Sequence, residues 1–125
     1  MIYLDTHVLI WLAALGPSAL GEEGRQRLER DGDARISPMV RLEMEYLHEA
    51  GRIREHALEV YERLAAAMGL RICDAPFFAV IREAERRPWT RDPFDRIIIA
   101  QAAVHDAPLL TKDQTMHEAY SGAVW

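Results

Sequence analysis

The sequence holds one cysteine and one lysine. A lone thiol, Cys73, closes no internal disulfide, so nothing in the chain depends on an oxidising compartment and a reducing cytosol is the expected setting. Its expected role is that of a small apolar filler in a buried strand. No apolar run approaches the ~20 residues of a membrane-spanning helix. Positive charge is missing from the start: Arg25 is the first Lys or Arg, and Asp5 stands well before it. A secretory leader needs basic residues ahead of its apolar core, so VLIWLAAL (8–15) is not expected to be one, and the protein is expected to be soluble and cytoplasmic. Repeats, low-complexity tracts and long linkers are also lacking, which leaves one domain over residues 1–125 as the expectation.

Charge narrows the function classes. A net charge of −5 argues against a protein that coats nucleic acid through a general positive field, but leaves room for an enzyme that meets nucleic acid at one site. Apart from Lys112, the basic residues are arginines, whose planar fork suits phosphate. The histidines His7, His48, His56, His105 and His117 show neither HExxH nor the paired spacing of zinc sites.

What is present alternates between short apolar segments and helical ones. MIYLD reads as a buried strand, and THVLIWLAAL as an apolar helix ended by Gly16 and Pro17. Residues 18–33 read as a polar surface helix despite their glycines, and ARIS (34–37) as a second strand. Ser37 caps a helix with Pro38 at its first position, running to about Gly51. A further helix spans 54–69 and ends on Gly69. LRIC (70–73) is a third strand, and APFFAVIREAERR a helix stopped by Pro88. Another helix begins at Pro93, PLLT (108–111) is a fourth strand, and GAVW is a possible fifth at the edge. Strands alternating with helices imply a parallel sheet covered on both faces, with ligands bound beyond the carboxyl ends of the strands.

Four carboxylates have positions that surface solvation does not explain. Glu43 has Met39, Val40, Tyr46 and Leu47 at helical offsets, so it lies within an apolar face. There it must snorkel, pair with an arginine, or bind a cation. In RDPFDRIIIAQA (91–102), Asp92 is the natural N-cap, while Asp95 shares a face with Ile98, Ile99 and Ala102. Asp5 and Asp113 each follow a strand. Gathered at one sheet edge, four such charges would raise one another's pKa values unless something positive lay between them. A hard divalent cation, Mg²⁺ or Mn²⁺, fits that oxygen donor set.

These segments resemble the PIN-domain ribonucleases, and among them the VapC-type toxins of toxin–antitoxin pairs. The likeness rests on MIYLDTHVLIWL, SPMVRLE, RDPFDRIIIAQA and LLTKD, in the right order and spacing along the chain, with the terminal VW also in pattern. It implies a three-layer α/β/α fold with a short, mostly parallel sheet of four or five strands. It also implies a metal-dependent endoribonuclease whose catalytic and metal-binding residues are Asp5, Glu43, Asp95 and Asp113. Thr6 and Thr111 match small hydroxyl positions beside the acids, and Asp92 lies in the motif chiefly as a cap. Arg86, Arg87 and Arg91 are candidates for drawing in RNA phosphates. Where the family carries a basic residue or histidine just before this motif, the chain has Trp89 and Thr90. The resemblance further implies a homodimer and a cognate antitoxin, with Trp11 and Leu12 as candidates for an apolar groove that receives it.

Two other readings compete. A phospho-receiver domain would use Asp5 as a metal ligand, Asp74 as phosphoacceptor and Lys112 near the last strands. A PIN-like module that only binds, without turnover, is the second.

Overall fold

Ile2, Tyr3 and Leu4 are all buried, so the first strand has no wet face and must lie in the middle of a sheet covered on both sides. In the computed structural model, which describes residues 1–125, that strand is β1 (Ile2–Leu4). It is followed by α1 (Thr6–Leu15), a 3₁₀ turn (Pro17–Ala19), α2 (Glu22–Asp31), β2 (Ala34–Ile36), α3 (Pro38–Glu49) and α4 (Ala57–Met68). The second half runs through β3 (Arg71–Ile72), α5 (Phe77–Glu85), α6 (Pro93–Ala103), β4 (Leu109–Leu110), α7 (Gln114–Ala119) and β5 (Ala123–Val124). The strands form one sheet in the order β3-β2-β1-β4-β5, and every pairing is parallel. The result is the expected three-layer α/β/α arrangement. No helix is long and apolar enough to cross a membrane.

This strand order removes the receiver reading. Receiver folds run 2-1-3-4-5, which places the first and third strands side by side. Here β2 lies between β1 and β3, so Asp5 and Asp74 follow strands that are not neighbours.

Elements depart from expectation where side chains or turns intervene. The helix expected over 18–33 is divided: a 3₁₀ turn comes first, and α2 begins only after Gly21. Gly24 in α2 is required by packing, because a Cβ there would stand 2.1 Å from Leu110 Cδ1, and its absence lets the helix lie against β4. The helix expected from residue 54 starts at Ala57, where the Glu45 carboxylate accepts the Ala57 N–H at 3.0 Å. It ends on Gly69 at φ 71°, as its sequence predicts. The short helix α7 was not anticipated.

The core is continuous from β1 and β4 into α6, whose residues Ile98 to Ala102 are all buried. Burial on every side makes α6 the most securely held element near the carboxyl edge, and removing a side chain such as Ile99 should cost ~2–5 kcal/mol. Two polar groups inside are matched: Ser37 Oγ donates to Gln101 Oε1 at 3.0 Å while accepting the Met39 N–H at 3.1 Å. The head of α3 is thereby tied to the middle of α6. Cys73 is buried, but it lies just past β3 and is more than filler, since the Tyr3 hydroxyl donates to its Sγ at 2.9 Å.

Candidate active site

Parallel strands put all their carboxyl ends at one edge, and five carboxylates meet there. Asp5 follows β1, Glu43 projects from α3, Asp92 and Asp95 open α6, and Asp113 follows β4. Three of the five are helix N-caps. Asp5 accepts the Val8 N–H of α1 at 2.9 Å, and Asp92 accepts the N–H groups of Phe94 and Asp95 in α6 at 2.9 and 3.3 Å. Asp113 accepts from the Thr115 and Met116 N–H groups of α7 at 2.8 and 3.3 Å. Helix N-termini carry partial positive charge, so this arrangement tolerates negative charge at an edge that lacks basic partners. Glu43 and Asp95 cap nothing.

Asp5 is the most enclosed member, 6% exposed. Burial pushes its carboxyl up, against the pull of the Thr111 hydroxyl, which donates to Oδ2, and of the Val8 N–H. Thr111 is fully buried, and its Oγ1 also accepts the Asp113 N–H at 3.0 Å, so one hydroxyl fixes two of the acids. Glu43 is half-buried and likewise raised by burial, with the Thr6 hydroxyl and the charge of His7 working the other way. Thr6 itself is buried, and its hydroxyl forms no well-aligned hydrogen bond. It sits beside Glu43 as a polar atom in need of a partner.

The Asp95 carboxyl is pushed up to about 6. Burial is the first cause, followed by the charges of Asp92, Glu43, Asp113 and Asp5, which establishes that the acids share one field. Asp113 is exposed and held below the usual range by the Thr115 hydroxyl. No Lys or Arg forms a salt bridge with any of the five. No three of them bring oxygens within 4.8 Å of one another, the spacing expected of like charges without a counter-ion.

The residues fit a hard divalent cation. The donors are oxygens, no Lys or Arg pairs with them, and the unmatched Thr6 hydroxyl stands beside them. A pocket of about 310 Å³ opens on this edge, lined by Asp5, His7, Trp11, Lys112 and Asp113. Lys112 does not pair with Asp113. Its ammonium stands 5.9 Å from the Trp11 ring centre and 5.6 Å from that of Trp125.

The three candidate arginines differ in how free they are. Arg87 donates to Glu83 at 2.8 Å and lies over the Tyr120 ring, and Arg86 also pairs with Glu83, at 3.4 Å. Arg91 is exposed and unpaired, one residue before the Asp92 cap. Sequence reasoning missed Arg96. Its Nε donates to the Ala84 carbonyl at 2.8 Å and a terminal nitrogen to Thr90 O at 3.3 Å, tying the last turn of α5 to the head of α6. Of the proposed groove pair, Leu12 is core, while Trp11 is half-buried beside the pocket.

Residues 2–121 match the PIN domain family. No curated protein matches the chain. Among solved structures, the chain is similar to VapBC2 from Rickettsia felis bound to a DNA fragment from their promoter, at 19% identity and a TM-score of 0.65, over 95% of this chain and 93% of that one. It is also similar to a toxin–antitoxin complex from Klebsiella pneumoniae, at 18% identity and a TM-score of 0.64, over 100% of this chain and 97% of that one. At such identities the likeness speaks for the fold.

Proposed function

The chain belongs to the PIN domain family, and from that premise we propose that it is a divalent-metal-dependent endoribonuclease, the toxin of a toxin–antitoxin pair. One observation carries the reading: Asp5, Glu43, Asp95 and Asp113 share one electrostatic field with no Lys or Arg paired to any of them, and burial together with the charges of the other acids lifts Asp95 to about 6. Such an arrangement costs stability unless a cation completes it. The four acids would hold it, Thr111 orients Asp5, the unmatched Thr6 hydroxyl is free to hold water beside Glu43, and Asp92 holds the head of α6.

When bound, Mg²⁺ or Mn²⁺ supplies Lewis-acid activation of water and neutralises charge on the scissile phosphate. The chain's own part is positioning. Thr111 locks the Asp5 carboxylate in one rotamer, and the Ser37–Gln101 bond holds α3 and α6 in register so that Glu43 and Asp95 face the same point. No Ser–His or Cys–His pair stands at this edge, consistent with hydrolysis by water and not through a covalent intermediate. Arg91 is the arginine best placed to meet RNA phosphates, with Arg86 and Arg87 behind it.

The likeness to VapBC2 and to a toxin–antitoxin complex supports an antitoxin partner and, with it, a cytoplasmic setting. The protein is proposed to act as a homodimer of single PIN domains spanning 1–125. The exposed Phe77 and Phe78 of α5, and Leu42 and Tyr46 of α3, are apolar surfaces that such contacts would cover. Retention of all four acids favours turnover over a module that only binds. The test is cleavage of RNA by the purified chain with Mg²⁺ or Mn²⁺, alongside Asp5→Asn and Asp95→Asn. Full activity in either variant, or activity indifferent to chelator, overturns the proposal.

A further inference from the structure

The largest cavity lies away from the acidic edge, a groove of about 650 Å³ between α3 and α4 lined by Pro38, Arg41, Glu45 and His56 among others. Behind its wall residues Glu45 and His56 stands His48, and the fold brings the three together in a group that linear spacing conceals. Glu45 and His48 are three apart on α3 and therefore share a face. The chain then turns at 50–56 and delivers His56, the residue before α4, back onto them. One ligand atom from each of Glu45, His48 and His56 lies within 4.8 Å of the others.

Two features of this group are unexplained by packing alone. The His48 and His56 ring centres are only 3.8 Å apart, so two imidazoles are pressed together. His48 Nδ1 is buried with no hydrogen-bond partner, a costly state for a ring nitrogen. Glu45 meanwhile reaches both ways, with Oε1 2.7 Å from His56 Nδ1 and Oε2 accepting the Ala57 N–H. The carboxylate is thus fixed, and exposed His56 is the member free to adjust.

We infer that Glu45, His48 and His56 form a second metal site, specific for a borderline transition ion of the Zn²⁺ class, which clamps α3 to α4. Ligand chemistry separates it from the acidic edge: two imidazoles and one carboxylate favour Zn²⁺, Co²⁺ or Ni²⁺, whereas an all-oxygen set favours Mg²⁺ or Mn²⁺. Zinc–ligand bonds of ~2.0–2.2 Å require donor atoms roughly 3.4 Å apart, so the three side chains must draw together from within 4.8 Å when the ion binds. The open groove provides the entry path, and the remaining coordination position faces solvent. This inference does not depend on nuclease activity.

The test uses the full chain, stripped of metal and titrated with Zn²⁺ and with Co²⁺. The site predicts one tightly bound equivalent of Zn²⁺, visible Co²⁺ absorption bands, and a melting temperature raised more by Zn²⁺ than by equimolar Mg²⁺. His56→Gln and Glu45→Gln, the latter keeping an acceptor for the Ala57 N–H, should weaken Zn²⁺ binding at least tenfold and abolish the Co²⁺ bands. Their metal-free melting should stay near that of the parent. Asp5→Asn and Asp95→Asn should keep both signals. The inference is overturned if the parent binds no Zn²⁺, if the histidine and glutamate variants bind it unchanged, or if the signals vanish with Asp95→Asn.

Discussion

Opposite edges of the same sheet treat an aspartate in opposite ways. At the amino edge, Asp33 enters β2 between two arginines, Arg35 Nε at 3.1 Å and Arg71 at 2.6 Å, and these hydrogen bonds hold its carboxyl down at about 2. At the carboxyl edge, Asp95 is half-buried among four other acids with no arginine, and burial first and their charge second hold it up at about 6. The chain has 15 basic residues to place, and it pairs two with the partly exposed Asp33 and none with Asp95. The amino edge closes its own electrostatics and the carboxyl edge does not, which is the signature of a site completed from outside.

The comparison breaks most visibly in activity. Asp95→Asn and Asp5→Asn should each lower RNA cleavage by about 10²–10³-fold, comparable to losing one preorganised electrostatic contact, in a fixed-substrate assay with Mn²⁺. The metal-free Asp95→Asn chain should melt no lower than the parent, since the substitution removes repulsion. A drop in melting temperature would mean that Asp95 is structural.

Next in size is the response to pH. Raised above its unfolded value near 3.8, the Asp95 carboxyl favours the fold at low pH, and that contribution is lost as pH rises through about 6. Asp33, depressed to about 2, contributes fully above the unfolded value and loses its contribution as pH falls through about 2. Metal-free melting temperatures followed from pH 2 to 8 should therefore decline on both sides. Mg²⁺ should restore only the high-pH side, because the cation takes the place of the proton; equal restoration at both ends would dissolve the contrast.

Smaller effects sharpen it. Asp92→Ala removes the cap of α6 and should cost about 1 kcal/mol in a denaturant titration, with cleavage reduced far less than by Asp95→Asn. Asp33→Asn should cost less than about 1 kcal/mol, as befits a partly exposed ion pair, and leave cleavage unchanged.

Of the four proposed ligands, Glu43 and Asp95 stood out locally because they sit on apolar faces, whereas Asp5 and Asp113 follow strands, where aspartate is common, and were singled out only by their grouping at one edge and by the family resemblance. Their capping partners were legible only in part. Asp92 could be read as a cap from the proline that follows it, whereas Asp113 could not, since Gln114–Ala119 is too short to show a period. Arg96 looked like a surface residue within its motif, and its bonds to the carbonyls of Ala84 and Thr90 depend on where α5 stops, at Glu85 and not at Pro88. Glu45, His48 and His56 escaped for a related reason. Their contact is made by a turn, and periodicity describes elements but not the way a chain folds back between them.

The bond from Thr111 to Asp5 spans 106 residues, and β4 pairs directly with β1 at the centre of the sheet. Contacts of such separation form late, after the entropy of closing a long loop has been met. A chain emerging from the ribosome can fold its first strands and helices while still lacking the hydroxyl that locks Asp5 and the fourth acid, Asp113. Timing is thus built into connectivity: the acidic centre stays incomplete through most of the chain's synthesis.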